Sequence, residues 1–470
     1  MNSKNFGVNL MITYGSNIFL GVLGVIFVPI ALRKLGLEGF GVFALYTTIL
    51  SAIALIDLGI GRNLSRNLAT CESVDVGQNV VSLVIALYSI IVAFIVLISP
   101  IIALVVPKLV FGTIEYVDVL GVITYIAIFE YILSIPCNIY ISTAVAREKF
   151  SLLATYNNIS GLLKYSVMFL ALFIFKDPLL LIIAVSMRKI IDIVIARLIL
   201  GKIEHYNWKP VFSYVPLRVF AVQSFNYSIP QLLQTMVILS SSFSVGSTFG
   251  LVGLGVYRSA FDIANRIWFF SNGLGLVVFP RLVKLNNSNE GRQQIKRLLP
   301  MQMLLSWMLY LSIAIVVIVY GNQILPSIGI SDYQIISMIK LLVLGVSLNA
   351  HANLAYEVLQ SRTDFVRLNI VCVLSLVLLL GVYFAFKDHI GVLSIGWAWV
   401  ISQSFYAFIL DEFAQRGHWQ IYLLKASLLL VTIYSLISLP SESYMALSLY
   451  AVLGFAAFCV AIKLFRRNLV

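Results

Sequence analysis

Three ionisable residues recur at helical spacing within a strongly apolar part of the chain. Arg258, Asp262 and Arg266 occupy positions i, i+4 and i+8, so their side chains share one helix face, with Asn265 beside them. At 1.5 Å per residue the two arginines lie about 12 Å apart along the axis. Two guanidinium groups around one carboxylate leave a net positive face, which suits a phosphate because guanidinium donates two parallel hydrogen bonds. The alternative is a ladder in which the three side chains satisfy one another.

Further polar side chains interrupt other apolar stretches. They are Asn17, Gln231 and Gln234, together with Arg62 at the end of its stretch. Backbone and side-chain polar groups in such stretches must face protein or water, because hydrocarbon offers them no hydrogen-bond partner. We therefore predict that these residues line a central cavity together with the arginine face.

Two carboxylates are candidates for binding a proton or a sodium ion. Asp57 precedes Gly59, a candidate hinge, and Glu130 lies deep in another apolar stretch. Each has a structural alternative, since Asp57 could pair with Arg62 and Glu130 with Lys164. Intramembrane carboxylates are costly, so either reading requires a defined partner.

Other charged residues in the predicted spans could serve either function or packing. These residues are Lys340, Glu357 and the charged segment 188–192. His351 could form a proton site with Glu357 or an ordinary interhelical hydrogen bond. We expect the hydrogen bond.

No catalytic constellation accompanies these charges. The chain has four histidines and four widely separated cysteines, without a Walker A pattern, a Gly-x-Ser-x-Gly elbow or a metal-ligand pair. The sequence therefore predicts neither an enzyme nor a bound metal or cofactor.

The composition of the chain indicates what kind of secondary structure positions these residues. Of 470 residues, 60% are hydrophobic and 11% are charged, and the mean hydropathy is +0.98. Soluble domains run nearer a quarter charged, so the chain is predicted to be an all-α integral membrane protein. The net charge of +12 does not indicate nucleic acid, because the topology below accounts for it.

Apolar runs long enough to span a bilayer, about 20 residues each, number about fourteen. They lie near 8–32, 40–61, 80–106, 117–144, 151–175, 178–201, 219–243, 249–280, 298–320, 333–360, 366–386, 391–411, 421–439 and 444–464. With both termini inside, twenty of the 32 basic residues fall on inside segments and five on outside turns. This positive-inside bias predicts cytoplasmic termini.

Two short matches indicate an internal duplication. Residues 39–44 (Gly-Phe-Gly-Val-Phe-Ala) resemble 253–258 (Gly-Leu-Gly-Val-Tyr-Arg) at an offset of 214, and 147–150 resembles 362–365 at an offset of 215. Six spans separate the copies, so the halves are parallel repeats. We predict an N-terminal lobe (1–201), a cytoplasmic linker (202–218), a C-terminal lobe (219–414) and a final helix pair (415–470).

The same segments resemble a known family. Residues 35–41 (Leu-Gly-Leu-Glu-Gly-Phe-Gly), 56–62 (Ile-Asp-Leu-Gly-Ile-Gly-Arg) and 279–281 (Phe-Pro-Arg) are similar to Wzx-type polysaccharide flippases of the multidrug/oligosaccharidyl-lipid/polysaccharide exporter superfamily. The resemblance implies two six-helix lobes in a V. It also implies export of a polyprenyl-diphosphate-linked oligosaccharide across the bacterial cytoplasmic membrane. The final helix pair is similar to that of lipid II flippases, where it forms a groove for the lipid tail.

The resemblance implies partners and leaves alternatives open. The expected partners are the lipid-linked oligosaccharide, membrane lipids and the polysaccharide polymerase machinery, with coupling to a proton or sodium gradient. A lipid II flippase would carry arginines inside its first span, where this chain has none. A drug/cation antiporter of the same fold would place carboxylates, rather than arginines, in its cavity.

Overall fold

The computed structural model describes residues 3–57, 59–71, 73–111, 117–204, 206–212, 214–269, 271, 282, 288–362, 364–414 and 419–437. All regular structure in these residues is helical, which confirms the predicted fold class. The α-helices are α1 (Ser3–Ala54), α2 (Ile60–Thr70), α3 (Val74–Phe111), α4 (Val117–Ala146), α5 (Phe150–Ile174), α6 (Pro178–Ile199), α7 (Tyr214–Ala264), α8 (Asn289–Ser327), α9 (Tyr333–Ser361), α10 (Phe365–Ile390), α11 (Ser394–Ala414) and α12 (Trp419–Ile437).

Eight stretches of the described chain are long and apolar enough to cross a membrane. Several of them hold more than one predicted span, as in Phe365–Ala414, which contains both α10 and α11. The predicted last span, 444–464, lies outside the described residues. The membrane class is therefore confirmed, and the count of fourteen stays a prediction.

Two long helices are each broken at a glycine. Gly36 interrupts α1 with φ 70° and ψ 178°, and Gly250 interrupts α7 with φ 66° and ψ −163°. A β-carbon disfavours positive φ, so glycine is the residue that permits these breaks. The break at Gly250 lies just beyond Ser247 and Thr248, where the sequence predicted a weak boundary. Both breaks occur at the same offset of 214 as the sequence repeat.

The residues after the two breaks approach each other reciprocally. A β-carbon on Gly41 would lie 2.1 Å from the Leu251 carbonyl oxygen, and one on Gly255 would lie 2.3 Å from the Leu37 carbonyl oxygen. Each position is equivalent to its partner's position in the repeat. The backbones therefore touch across a local two-fold relation that only glycine allows, which supports the duplication.

The second repeated motif also has matching structure in its two copies. Arg147 follows the end of α4 and donates through Nη1 to the Leu68 carbonyl at 3.1 Å. Arg362 follows the end of α9 and donates through Nη1 to the Ala414 carbonyl, also at 3.1 Å. In both copies the arginine donates to a backbone carbonyl near the end of another helix.

The chain forms two compact units, Met1–Arg258 and Ser259–Val470. The second unit is centred on α9, most of whose residues are buried, with the indoles of Trp307 and Trp399 fully enclosed. The predicted lobe and linker boundaries stay predictions.

Candidate functional site

Arg258 is the most enclosed of the three predicted arginine-face residues. It lies near the end of α7 and exposes only 9% of its surface. Its Nη2 donates to the Thr47 hydroxyl at 3.3 Å, and Thr47 in turn donates to the Ala44 carbonyl. This contact orients the guanidinium, which has five N–H donors in all.

The predicted α-helical spacing does not continue as far as Arg266. Helix α7 ends at Ala264, and residues Asn265–Ile267 form a 3₁₀ turn. Arg266 donates through Nε to the backbone carbonyl of Asp262 at 3.0 Å and lies over the Phe269 ring. The tighter turn changes the angular step per residue, so the i, i+4, i+8 stripe is not strictly α-helical at its last member and its role stays a prediction. Asp262, Asn265 and Arg266 are all half-buried.

Asp57 sits where the chain bends into α2. It ends a 3₁₀ turn, and its carboxylate accepts a hydrogen bond from Tyr88 at 2.5 Å. Gly59 follows in the left-handed region at φ 70°, and a β-carbon there would meet the Ser228 hydroxyl at 2.0 Å. Arg62 is exposed, so the local ion pair considered from the sequence is replaced by the tyrosine contact.

Glu130 is buried in a hydroxyl-lined niche of the first unit. Its Oε2 accepts from the Tyr46 hydroxyl and from the Ser186 hydroxyl, the latter at 3.0 Å. Tyr46 and Ser186 also lie 2.9 Å apart. The hydrogen bonds to this carboxylate therefore come from α1 and α6, whereas the sequence suggested Lys164 as its partner.

The charged segment of α6 forms an intrahelical ion pair. Arg188 Nη1 lies 2.5 Å from Asp192 Oδ2, with side-chain exposures of 4% and 0%, and Lys189 lies 3.8 Å from the same oxygen. This contact decides the ambiguity of residues 188–192 in favour of local pairing. Arg188 also donates to Ser160 on α5 at 3.4 Å.

The strongest ionic cluster in the described residues belongs to the second unit. His351 Nε2 lies 2.9 Å from Asp411 Oδ2, and Lys425 Nζ lies 2.5 Å from the same oxygen. All three side chains are at most 1% exposed. His351 Nδ1 lies 3.2 Å from the Ser306 hydroxyl, and the Trp307 ring packs edge-on against the imidazole. The cluster thus joins side chains from four helices: α9 and α12 contact the Asp411 carboxylate of α11, and α8 contacts His351.

Sequence analysis missed this cluster. It expected an interhelical hydrogen bond for His351, which the structure shows, but it considered Glu357 and not Asp411 as an acidic partner. It did not single out Lys425, whose ammonium is completely buried in α12 and lies over the Trp307 ring. The available signal was a lysine within the otherwise apolar run 421–439, which is expensive unless paired.

The remaining predicted site residues are dispersed. Gln231 is exposed, Gln234 is half-buried, and Asn17 lies in α1 with its side chain outside the described part. Lys340 and Glu357 are half-buried, and Lys164 is partly exposed. Within the described residues no group of three or more His, Cys, Asp or Glu side chains could hold a metal ion.

Comparison with known proteins matches residues 4–286 to a family model described as "Polysaccharide biosynthesis protein". The match includes residues 35–41 and 56–62, which carried the sequence resemblance, and the arginine face. No curated protein matches the chain.

Solved structures share the fold. A lipid II flippase, MurJ, in an inward closed conformation superposes with a TM-score of 0.67 at 14% identity, covering 98% of this chain and 99% of that one. An inward-facing multidrug resistance MATE family transporter gives 0.61 at 13% identity, covering 89% and 99%. A transporter from Pyrococcus furiosus, described as having a binding pocket of reverse polarity, gives 0.57 at 13% identity, covering 89% and 95%. The TM-scores of these superpositions show that the chain shares the fold of these transporters, although the sequence identities are low.

Proposed function

Because the chain belongs to the polysaccharide biosynthesis protein family, we propose that it is a flippase for a polyprenyl-diphosphate-linked oligosaccharide. It would move this lipid from the inner to the outer leaflet of the bacterial cytoplasmic membrane by alternating access. Family and fold are those of membrane transporters, not of enzymes.

Arg258 is the observation that carries the proposed substrate class. A diphosphate brings at least two negative charges into about 30 Å of hydrocarbon, and a buried guanidinium offers charge and directional donors. The guanidinium of Arg258, which also donates to the Thr47 hydroxyl, would add charge-assisted hydrogen bonds to the phosphate oxygens in the proposed complex. Arg266 and the amides of Asn17, Asn265, Gln231 and Gln234 would then contribute further donors to phosphate or sugar oxygens.

A lipid II flippase is the second candidate, and one observation favours it. The lipid II flippase structure covers 98% of this chain, whereas the multidrug transporter covers 89%. Both lipid-linked substrates share the polyprenyl diphosphate, so the arginine chemistry serves either one. A drug/cation antiporter fits less well, because a buried guanidinium repels cationic substrates.

Return of the empty carrier would be coupled to a proton or a sodium ion. Asp57 and Glu130 are the proposed binding groups. Each carboxylate accepts a hydrogen bond from a hydroxyl, which would hold it in place for a bound cation. Asp57 also adjoins the left-handed Gly59, so a change of its charge would act at a bend of the backbone. Transport in vesicles should fall when both gradients are collapsed, and unchanged transport would exclude coupling to either ion.

The experiment that tests the function uses purified protein in liposomes. A polyprenyl-diphosphate-linked oligosaccharide and lipid II are supplied separately, and the fraction accessible to an external glycosidase or lectin is followed over time. Faster exposure of the oligosaccharide lipid supports the proposal, whereas exposure of lipid II alone supports the second candidate. Movement of neither lipid would contradict both.

A further inference from the structure

A cavity of about 570 Å³ opens at the end of the first unit, on the side that the charge bias predicts to be cytoplasmic. Its walls come from α3, α4 and α6 and from the segment 201–208 that follows α6. Most of the lining is apolar, including Pro136, Ile139 and Leu198. The proposed function uses none of these residues.

The segment that closes the cavity is fixed in place. Gln78 on α3 donates through Nε2 to the Asn207 carbonyl at 2.9 Å and accepts from the Asn207 backbone N–H at 2.7 Å. The Val211 N–H donates to the Ser82 carbonyl at 3.2 Å. Asn207 and Val211, which lie in the predicted linker 202–218, are thus both hydrogen-bonded to α3.

The acidic group of the lining is already neutralised. Glu204 accepts from Arg147 Nε at 2.8 Å and from the Tyr206 hydroxyl. Burial lowers the pKa of Arg147, but the hydrogen bond to Glu204, the Glu204 charge and the contact with Tyr206 together raise the pKa overall. The pair therefore presents no net charge to a ligand in the cavity.

Two basic side chains of the lining are, by contrast, uncommitted. Arg197 lies in the last turn of α6 and Lys202 just beyond it, and both are exposed. Among the described residues, neither side chain has a hydrogen-bonding or ion-pair partner. The cavity thus joins an apolar interior to a doubly cationic rim.

Aromatic side chains complete the rim. Trp208 packs against Tyr140 with ring centroids 5.4 Å apart, and Tyr206 lies beside them in the lining. Tryptophan and tyrosine are the residues that favour the headgroup level of a bilayer. Leu198 and Val194 on the adjoining surface of α6 are 61% and 53% exposed, which leaves an apolar track leading from the cavity.

We propose that this cavity binds an anionic glycerophospholipid of the cytoplasmic leaflet. Arg197 and Lys202 bind its phosphate, and the acyl chains lie along α6. Basic pockets between helices on the cytoplasmic side suit such headgroups. The volume suits a phospholipid headgroup rather than an oligosaccharide, and the apolar lining offers few partners for sugar hydroxyls.

The test measures lipid retention by native mass spectrometry. Purified full-length protein is exchanged into detergent containing equal amounts of phosphatidylglycerol and phosphatidylcholine. We expect one phosphatidylglycerol to be retained preferentially, and Arg197→Gln/Lys202→Gln to reduce that retention at least tenfold. The matched control, Lys149→Gln/Arg218→Gln, removes two exposed charges outside the cavity and should leave retention unchanged.

Further arms identify the source of the phosphate chemistry. Inorganic phosphate and glycerol phosphate should fail to displace the lipid, because they lack acyl chains. Displacement of phosphatidylglycerol by polyprenyl diphosphate at equal concentration would instead assign the cavity to the transported lipid and overturn the proposal. Equal retention of both phospholipids, or loss of retention in the control variant, would overturn it as well. None of these outcomes depends on flipping activity.

Discussion

The guanidinium of Arg258 occupies a helix position where a leucine would pack at no electrostatic cost. It donates to the Thr47 hydroxyl at 3.3 Å. Hydrogen bonds that involve a charged group contribute about 1.5–3 kcal/mol each. The proposed diphosphate would accept further hydrogen bonds of this kind, which a leucine at this position could not donate.

Replacing Arg258 by alanine should reduce export per molecule by at least about tenfold, the loss expected for one charge-assisted hydrogen bond. Arg258→Lys should restore export in part, because the charge returns without the bidentate fork. Export and membrane-protein abundance are measured together, with Arg218→Ala as an exposed-arginine control. Normal export per molecule at lowered abundance would show that Arg258 only stabilises the fold.

Variants of the Asp411 cluster should lose stability, whereas Arg258 variants should lose transport. Removing one partner of a buried ion pair leaves the other uncompensated and costs about 3–5 kcal/mol. Asp411→Asn and Lys425→Met should each lower the Tm of the purified protein. The double variant Asp411→Asn/Lys425→Met should be less destabilised than the sum of its parts, since neither charge remains.

The exposed pair Arg367–Asp364 provides the matched control. It spans 3.0 Å at the start of α10, with side-chain exposures of 45% and 26%. Surface pairs contribute about 0–1 kcal/mol, so Asp364→Asn should hardly change the Tm. Equal effects of Asp364→Asn and Asp411→Asn would contradict the assigned role of the buried cluster.

At the level of elements, the glycine breaks set how α1 and α7 pack. The duplicated motif places Gly41 against Leu251 and Gly255 against Leu37, so each copy supplies one glycine and one carbonyl to the contact. Small residues allow helices in a membrane to approach closely, where dispersion and weak hydrogen bonds replace the hydrophobic effect.

Gly41→Ala and Gly255→Ala should each destabilise the protein, because the new β-carbon would lie far inside van der Waals contact with a backbone oxygen. Gly381→Ala is the control: nothing lies within 4 Å of its added β-carbon, and alanine favours a helix interior by about 1 kcal/mol. Thermal unfolding in detergent separates the variants. A Gly41→Ala protein as stable as the Gly381→Ala protein would show that the backbones can separate freely.

These elements also show how much of the structure could be predicted from the sequence. Apolar spans and the duplication were predictable, because hydropathy and motif offset can be read from the sequence alone. The Asp411–Lys425 pair was not, because which faces of α11 and α12 meet depends on packing across helices. The 3₁₀ turn at Asn265 likewise followed no signal in residue spacing, since residues 265–267 contain neither glycine nor proline.

At the scale of the whole molecule, charge and helix length jointly constrain orientation. Helix α5 has 25 residues, about 37 Å at 1.5 Å per residue, which exceeds the roughly 30 Å of hydrocarbon. A helix of this length is expected to cross the membrane, with the turns at its two ends in opposite compartments. Arg147 and Lys149 precede α5, whereas Lys176 and the N-capping Asp177 follow it, so the local charge difference alone is small. The orientation rests on the bias summed along the chain.

Single cysteines test that orientation directly. In a background without the four native cysteines, Lys149→Cys and Arg218→Cys should react with a membrane-impermeant maleimide only after the membrane is opened, because the charge bias predicts both to be cytoplasmic. Asp177→Cys and Ser331→Cys should react in intact cells, since both are exposed residues at turns on the other side of α5 and α8. Reaction of Lys149→Cys and Asp177→Cys from one side would mean that α5 does not cross the membrane. Reaction of all four in the reversed pattern would leave the fold intact but invert the molecule, and would place Arg197 and Lys202 in the outer leaflet.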